Sequence, residues 1–488
     1  MAQPFIEPCS RGVIEAEPCP RELGREIPPA RRRMVLAACV LASSMAFIDG
    51  SALTVALPRL RADFGADLSS VQWVVNGYVL ALASLTLIGG ALADVHGKAR
   101  MLTVGCLLFG LASAACALAP SAAWLIAARI VQGIAAAILT PASLALIGAT
   151  YPRDERNRAI GFWAAASALT TAAGPILGGW LTETFGWPLI FWINPPIAIA
   201  AVGILVAFAP ADRREPRRFD GIGAAILAAS LGALAWALSQ IGPGESAIDA
   251  ASPSPITTVV IVAALGAVGL VVYASWERAT AHPMTPPRLV ENRPFLGLNL
   301  ATTMIYAGLA IMFFMLPFEL VDRRALSATE AGLAFLPFTL GVGLLSRAFG
   351  GLADKAGARV MLVAGPLGAA LAYAWLAAGR DASLTVGVIG PMALLGVAFA
   401  VLVAPLTATV MSSVDEADEG LASGINNAAS RVAQLAGVAL AAGAASFASG
   451  YEVGLAAAAA ASIGGALTVA TTVPNRPATA PPGPPRGR

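Results

Sequence analysis

Two matching stretches of sequence decide the fold of this chain: Gly90-Ala-Leu-Ala-Asp94-Val-His-Gly97-Lys-Ala-Arg-Met101-Leu102 and Gly350-Gly-Leu-Ala-Asp354-Lys-Ala-Gly357-Ala-Arg-Val-Met361-Leu362. Position 350 matches position 90, and the same offset of 260 residues holds at every other matched position. Each copy ends an apolar run with an aspartate, reverses at a glycine and leads through cations into the next apolar run. Such an internal repeat predicts two related helical halves.

The loops of this repeat also concentrate charge. The only two lysines of the chain, Lys98 and Lys355, both lie in them. Each aspartate is placed to pair with a cation across one face and to hold the two helical bundles in one state. A basic segment that merely sets the membrane topology is the alternative, and two copies at matched positions favour the shared role. We therefore predict a gating function for Gly90, Asp94, Gly97, Lys98, Asp354 and Gly357.

The amino-acid composition indicates a membrane protein. Of 488 residues, 57% are hydrophobic and only 12% are charged, with a mean hydropathy of +0.74. A soluble domain is about 25% charged, because its surface must be wetted. This excludes a cytosolic enzyme, a nucleic-acid binder, a secreted disulfide scaffold and a disordered protein. The five cysteines are odd in number and form no Cys-x-x-Cys motif, so we predict neither a disulfide framework nor a metal site.

Long apolar runs predict transmembrane helices. About 20 apolar residues of helix cross a bilayer core. Glycine and proline inside the runs are tolerated there, and the short alternating strands of a β-barrel are missing from the pattern. The fourteen runs are approximately 34–57, 71–94, 101–119, 121–148, 157–183, 187–210, 221–241, 255–276, 294–320, 328–352, 358–378, 384–410, 420–448 and 452–473.

The positive charges predict the orientation. The first 33 residues are unlike a signal peptide, and they end in Arg31-Arg32-Arg33 directly before the first run. With the N-terminus inside, 23 of the 31 Lys and Arg residues lie in cytoplasmic segments and five in external loops. Cytoplasmic loops are the basic ones. We expect both termini in the cytoplasm.

The repeat predicts the division of the chain. Its copies end the second and tenth runs, eight apart, whereas a duplication of six helices would place them six apart. Two inserted helices account for the difference. The predicted parts are an N-terminal tail (1–33), a six-helix bundle (34–210), a linker with two inserted helices (211–293), a second six-helix bundle (294–473) and a disordered tail (474–488).

The loop motif is similar to the cytoplasmic signature of the major facilitator superfamily, Gly-x-Leu-Ala-Asp-x-x-Gly-basic. Within that superfamily, the chain as a whole resembles the fourteen-helix drug:proton antiporters. The first copy departs from the signature at Val95 and Ala99, where basic residues are usual, which would weaken the charge cluster. The resemblance spans all fourteen runs. It implies an all-α membrane fold of two six-helix bundles plus two inserted helices, working as a monomer.

Asp49 is the first candidate for a functional side chain inside a span. It lies about fifteen residues, or ~22 Å, along the first run, where a charge costs ~2.5–3.5 kcal/mol to insert. A carboxyl group that alternates between neutral and ionised forms can take a proton or attract a cationic substrate. A structural hydrogen bond to a neighbouring helix is the alternative. Asp49-Gly-Ser-Ala-Leu-Thr54-Val-Ala-Leu57-Pro58 is similar to the first-span signature of the antiporters.

Arg129 is the second candidate. It stands in Leu125-Ile-Ala-Ala-Arg129-Ile-Val-Gln132-Gly133 and needs an acidic or carbonyl partner there. An arginine that snorkels to the interface is the alternative, and the position of Arg129 several residues into the run disfavours it. The stretch resembles the fourth-span signature of the superfamily, whose arginine is linked with proton transfer.

A glycine- and proline-rich segment, Gly174-Pro175-Ile-Leu-Gly178-Gly179, predicts a bendable packing seam in the fifth run. Proline removes a helix hydrogen bond, and glycines let helices approach closely. Ordinary close packing is the alternative. The pattern resembles the signature typical of antiporters, which favours export over uptake.

Five further residues are weaker candidates for substrate contact. Aromatic residues at span ends are more often interface anchors than ligand contacts, and a solvated glutamate is the alternative at position 319. Arg431 resembles the thirteenth-span arginine of the family, and the sequence assigns it no role. Besides Asp49, the predicted substrate-binding residues are Asn76, Tyr78, Trp163, Tyr306 and Glu319.

The sequence contains no nucleotide-binding motif through which ATP could drive transport. The sequence has neither a phosphate-binding loop nor a complete dinucleotide fingerprint, so we expect no cofactor and transport driven by a gradient. A proton entering down the membrane potential supplies ~2.3 kcal/mol per 100 mV. We expect a proton to neutralise Asp49 from outside, to favour outward release of an amphiphilic drug or antibiotic, and to leave to the cytoplasm. A proton-coupled uptake symporter and a non-transporting sensor are the alternatives, and an enzyme is disfavoured.

Overall fold

The computed structural model describes residues 27–210, 220–239, 255–280, 287–414, 419–445 and 449–474. Every regular element in these ranges is helical, and two short stretches, Glu319–Arg323 and Thr385–Ile389, are π-helical. The α-helices are α1 (Pro29–Phe64), α2 (Leu68–His96), α3 (Lys98–Ala117), α4 (Ala122–Thr150), α5 (Arg153–Thr184), α6 (Pro188–Trp192), α7 (Asn194–Phe208), α8 (Gly221–Ser239), α9 (Pro255–Ala279), α10 (Pro287–Glu291), α11 (Arg293–Phe318), α12 (Ala328–Leu333), α13 (Leu336–Ala356), α14 (Ala358–Ala378), α15 (Gly390–Ser412), α16 (Glu419–Ala444) and α17 (Gly450–Thr472).

The helices coincide with the apolar runs. Each of the fourteen predicted runs overlaps a helix in the described part of the chain. Ten helical stretches there are long and apolar enough to cross a membrane, and the other four runs fall on α2, α5, α8 and α16. Polar residues lower the hydropathy of α16, which contains Asn426, Asn427, Arg431 and Gln434. The all-α membrane fold is confirmed, and the number of fourteen spans stays a prediction.

Parts of the predicted tails and linker lie outside the described residues. The N-terminal tail is described only from residue 27, and the C-terminal tail only at residue 474. The predicted linker is described at 220–239, 255–280 and 287–293.

Helix contacts fall into two groups, which we call the first group (α1–α7) and the second group (α11–α17). In the first group α1 packs on α5 and α7, and α4 packs on α2 and α3. In the second group α11 packs on α16 and α17, and α15 packs on α13 and α14. The hairpin of α8 and α9 contacts α2 and α16. Small residues allow this approach: a Cβ atom at Gly89 would overlap the carbonyl oxygen of Ala137 across the α2–α4 contact.

Both copies of the repeat reverse the chain at one glycine. Gly97 separates α2 from α3 with a φ of +104°, and Gly357 separates α13 from α14 with a φ of +88°. A side chain is disfavoured at such angles, so the predicted glycine reversal is confirmed in both copies. The side chains of Asp94 and Asp354 are outside the described part of the structure, and their ion pairs stay predictions.

The helix bundle has two ends, which lie at opposite ends of α1. We call the end where α1 begins the N-terminal face and the end where α1 and α5 finish the opposite face. At the N-terminal face, Arg31 Nε donates to the Phe208 carbonyl at 2.7 Å. At the opposite face, a Glu183 carboxylate oxygen accepts the Thr329 backbone N–H at 2.9 Å. The two helix groups therefore meet at the opposite face, where α5 packs on α12.

Candidate functional site

A cluster of polar side chains is buried inside the first group. Its members come from α1, α3, α4 and α7 and are at most 1% exposed: Asp49, Ser113, Arg129, Gln132 and Asn194. Buried charges and amides are costly unless they are paired and hydrogen-bonded. The contacts inside the cluster supply that pairing.

The carboxylate of Asp49 is the centre of the cluster. Its Oδ2 accepts a charge-assisted hydrogen bond from Arg129 Nη1. Its Oδ1 accepts from Gln132 Nε2 at 2.9 Å and more weakly from Asn194 Nδ2 at 3.4 Å. Both oxygens of the carboxylate are thus occupied by protein donors.

Arg129 is held on several sides. Nε donates to the Val74 carbonyl at 3.1 Å, and Nη1 also donates to Gln132 Oε1 at 2.8 Å. The Cζ atom lies 4.1 Å from the centre of the Tyr78 ring, a cation–π distance. The sequence-based expectation of an acidic or carbonyl partner is confirmed, since Arg129 has both.

Asn194 is one of the weaker cavity candidates that the sequence offers, whereas Gln132 and Ser113 were not predicted from the sequence. Gln132 lies one turn after Arg129 on the same helix face, and that spacing could have identified it. Ser113 accepts from Asn194 Nδ2 at 2.9 Å and donates to the Phe191 carbonyl at 2.9 Å. Nothing in the sequence around Ser113 indicates this contact.

A cavity of about 160 Å³ lies between the two helix groups, against this cluster. The first group contributes Tyr78 and Arg129 to its wall, and the second group contributes Tyr306, Phe313 and Arg431. Such an apolar, aromatic wall with a few polar groups is typical of a small-molecule site. Two predicted substrate contacts, Tyr78 and Tyr306, lie in this wall.

Four other predicted contacts do not line the cavity in this conformation. Asp49 lies behind Arg129. Trp163 stacks edge-on against Phe47, with ring centres 6.4 Å apart. Asn76 is only 2% exposed, and neither atom of its amide has a hydrogen-bond partner among the described residues.

Glu319, the fourth, belongs to an ion cluster at the opposite face. Its carboxylate lies 2.6 Å from Arg323 Nη1 and 3.0 Å from Arg380 Nη2. Arg380 also pairs with Glu452 at 2.6 Å and faces the Tyr451 ring. The side chain of Glu319 is buried in these contacts, although the sequence suggested a cavity or solvated position.

The glycine- and proline-rich seam, residues 174–179 of α5, contacts both helix groups. A Cβ atom at Gly178 would overlap the carbonyl oxygen of Ala52 in α1, whereas one at Gly179 would overlap that of Ala328 in α12. On the other side, a Cβ atom at Gly332 would overlap the Pro175 carbonyl oxygen. Close packing of the seam is therefore observed, and part of it forms the contact between the groups at the opposite face.

Arg129→Met is expected to destabilise the protein. The substitution leaves Asp49 buried without its cation, a change that costs about 3–5 kcal/mol when one partner of a buried ion pair is lost. The loss should show as a lower unfolding temperature of the purified protein. Adding Asp49→Asn should recover most of it, and Arg59→Met, at a pair exposed on α1, serves as the control. Equal unfolding temperatures of the single and double variants would contradict the expectation.

The family model of the Major Facilitator Superfamily matches residues 39–276 and 298–488. The multidrug resistance protein Stp of Mycobacterium tuberculosis is 32% identical over 412 residues, which cover 83% of this chain and 74% of that protein. The cephamycin export protein CmcT of Amycolatopsis lactamdurans is 35% identical over 406 residues, 80% of this chain and 81% of that protein.

The fold is also similar to that of a solved peptide transporter in complex with sulfate. The TM-score is 0.68 over 91% of this chain and 96% of that chain, and the 15% identity means that the likeness concerns the fold alone. The chain belongs to the Major Facilitator Superfamily, as a multi-pass membrane transporter of small substrates and not an enzyme.

Proposed function

We propose that this transporter exports amphiphilic drugs or antibiotics across the plasma membrane in exchange for protons, by alternating access. The observation that carries the proposal is the buried Asp49–Arg129 pair beside a cavity between two helix groups. The names of the two relatives, one for multidrug resistance and one for cephamycin export, support antibiotics as the class of cargo.

The membrane arrangement is part of the proposal. Fourteen spans form two six-helix bundles, 34–210 and 294–473, with two helices inserted in the linker 211–293. The N-terminal face and both termini are cytoplasmic in this proposal, which the distribution of Lys and Arg supports. The working unit is a monomer that needs no cofactor.

The conformation is closed to the outside under this orientation. The α5–α12 contact seals the opposite face. The cavity of about 160 Å³ is small beside the ~300–1,000 Å³ of drug-sized ligand sites. Loading a drug therefore needs the cavity between the two groups to widen, and release needs the α5–α12 contact to open.

The proton acts through Arg129. Asp49 lies behind the cavity wall, so its charge state reaches the cavity through the guanidinium that it holds. Protonation removes the ion pair that ties α1 to α4 and changes which arrangement of the bundles is favoured. Entry of the proton down the potential supplies ~2.3 kcal/mol per 100 mV for the exchange.

Gating is assigned to both faces. At the opposite face the seam residues Pro175 and Gly179 make the closing contact with α12 tight, while Gly174 and Gly178 pack α5 closely against α1. At the N-terminal face the repeat loops hold the bundles together when the outside is open, through Gly90, Asp94, Gly97, Lys98, Asp354 and Gly357.

An uncoupler separates export from the alternatives. Cells producing the protein should accumulate less of a fluorescent amphiphilic dye than cells without it, and a protonophore should abolish the difference. We expect this because the gradient is the sole energy source proposed. Dye uptake above the control would indicate a symporter, and accumulation unchanged for every dye, whether anionic, neutral or cationic, would refute transport of amphiphiles.

A further inference from the structure

A second guanidinium lines the cavity, opposite the first. Within the described part of the chain, Arg431 of α16 makes one hydrogen bond, to Gln434 Oε1 at 3.1 Å. None of the ion pairs with a carboxylate among the described residues includes Arg431. An arginine has five N–H groups, so most of the donors of Arg431 have no protein acceptor in this part of the chain.

The guanidinium of Arg129, unlike that of Arg431, is satisfied by protein groups. Its charge is balanced by Asp49, and Gln132, the Val74 carbonyl and the Tyr78 ring occupy its remaining surface. None of the described residues that line the cavity is acidic. The wall therefore presents one balanced and one unbalanced positive charge to a ligand.

We propose that the cavity binds amphiphiles with a carboxylate or similar anionic group, and that Arg431 holds that group. A planar guanidinium pairs with a carboxylate through two parallel hydrogen bonds. This inference rests on the proposed function and names the cargo class more closely.

The surroundings of Arg431 suit the rest of such a molecule. Tyr306 and Phe313 lie in the same wall, and each packs edge-on against a further ring, Phe399 and Phe338 respectively. Fixed aromatic rings bury the apolar body of a ligand at low entropic cost. The binding site thus joins an apolar surface to a single cationic anchor.

An anionic cargo has consequences for the cycle. Its exit and the entry of a proton both move charge in the direction that an inside-negative potential favours. Protonation of Asp49 leaves Arg129 unbalanced near the cavity, which strengthens the attraction for an anion. For an anionic cargo, release to the outside therefore precedes protonation, and the proton returns the empty carrier. This order differs from the one expected from the sequence, in which the proton itself favours release.

Three probes with one fluorophore test the inference on the purified full-length protein. At neutral pH dansylglycine is negatively charged, dansylamide is neutral and dansylcadaverine is positively charged. We expect dansylglycine to bind most tightly. Arg431→Gln should weaken its binding roughly ten-fold or more, the size of a lost charged hydrogen bond, and leave dansylamide unchanged. Arg431→Lys should keep part of the preference, and Arg59→Gln, the same charge change on an exposed residue, should keep all of it.

Some results would overturn the anionic-cargo inference. They are dansylcadaverine binding as well as dansylglycine, no binding of dansylglycine, or an equal loss for all three probes in Arg431→Gln. Unchanged dansylamide binding shows that the variant is folded. The proposed antiport is judged separately in vesicles. Asp49→Asn should lose proton-driven transport while still binding dansylglycine more tightly than dansylamide, whereas Arg59→Gln, at an exposed residue outside the cavity, should keep proton-driven transport.

Discussion

Asp49→Asn is expected to abolish proton-driven export while leaving the protein folded. Asparagine keeps the size of the side chain and cannot ionise, so the variant resembles the protonated state that the transport cycle itself visits. In inverted vesicles with an imposed proton gradient, uphill movement of substrate should fall to the level of protein-free vesicles. Downhill exchange of substrate should persist, because it requires no change in the charge of Asp49.

Asp63→Asn is the matched control for this variant. Asp63 lies on the same helix and pairs with Arg59 at 3.0 Å, but both side chains are exposed. An exposed pair contributes at most about 1 kcal/mol, so the control should pump like the unaltered protein. Uphill transport by Asp49→Asn at the unaltered rate would remove Asp49 from the coupling mechanism.

Gly179→Ala is expected to stop transport by preventing closure of the opposite face. The added Cβ atom would overlap the carbonyl oxygen of Ala328, and a backbone atom cannot move aside as a flexible side chain can. The α5–α12 contact would be forced open, and the cavity would stay accessible from that face. Transport assays should give no substrate movement above background.

Cysteine labelling in intact cells locates the defect. Leu57 lines the cavity and is fully buried here, so Leu57→Cys should react with a membrane-impermeant maleimide only when the opposite face is open. We expect rapid labelling in the Gly179→Ala background. Gly161→Ala is the control, because a Cβ atom at this α5 glycine meets nothing within 4 Å. Equal protection in both backgrounds, or normal transport by Gly179→Ala, would rule out the proposed gate.

Several parts of the site could be predicted from the sequence. A charge inside an apolar run is conspicuous because it is costly, and this alone identified Asp49 and Arg129 as residues in need of partners. Their pairing confirms that reasoning. The glycine reversals at Gly97 and Gly357 were predictable from the repeat because a turn of one residue needs a positive φ.

Other parts could not be predicted, since they depend on which helix faces meet. Glu319 was placed near a substrate by its position in an apolar run, yet Arg323 and Arg380 surround it. Arg431 was visible but had no assigned role until the cavity placed it opposite Arg129. Hydropathy reports how much polar character a helix contains and not which neighbour receives it.

The sequence by itself determined that the chain is an all-α membrane protein, and it predicted two related halves. Those conclusions follow from apolar runs, charge distribution and a repeat, all of which are properties of local stretches of chain. Only the tertiary structure decided that Asp49 meets Arg129, 80 residues away, and that one guanidinium is balanced while another is not. The physical reason is that an ion pair depends on a distance of a few ångströms between helices, and the order of residues along the chain does not specify that distance.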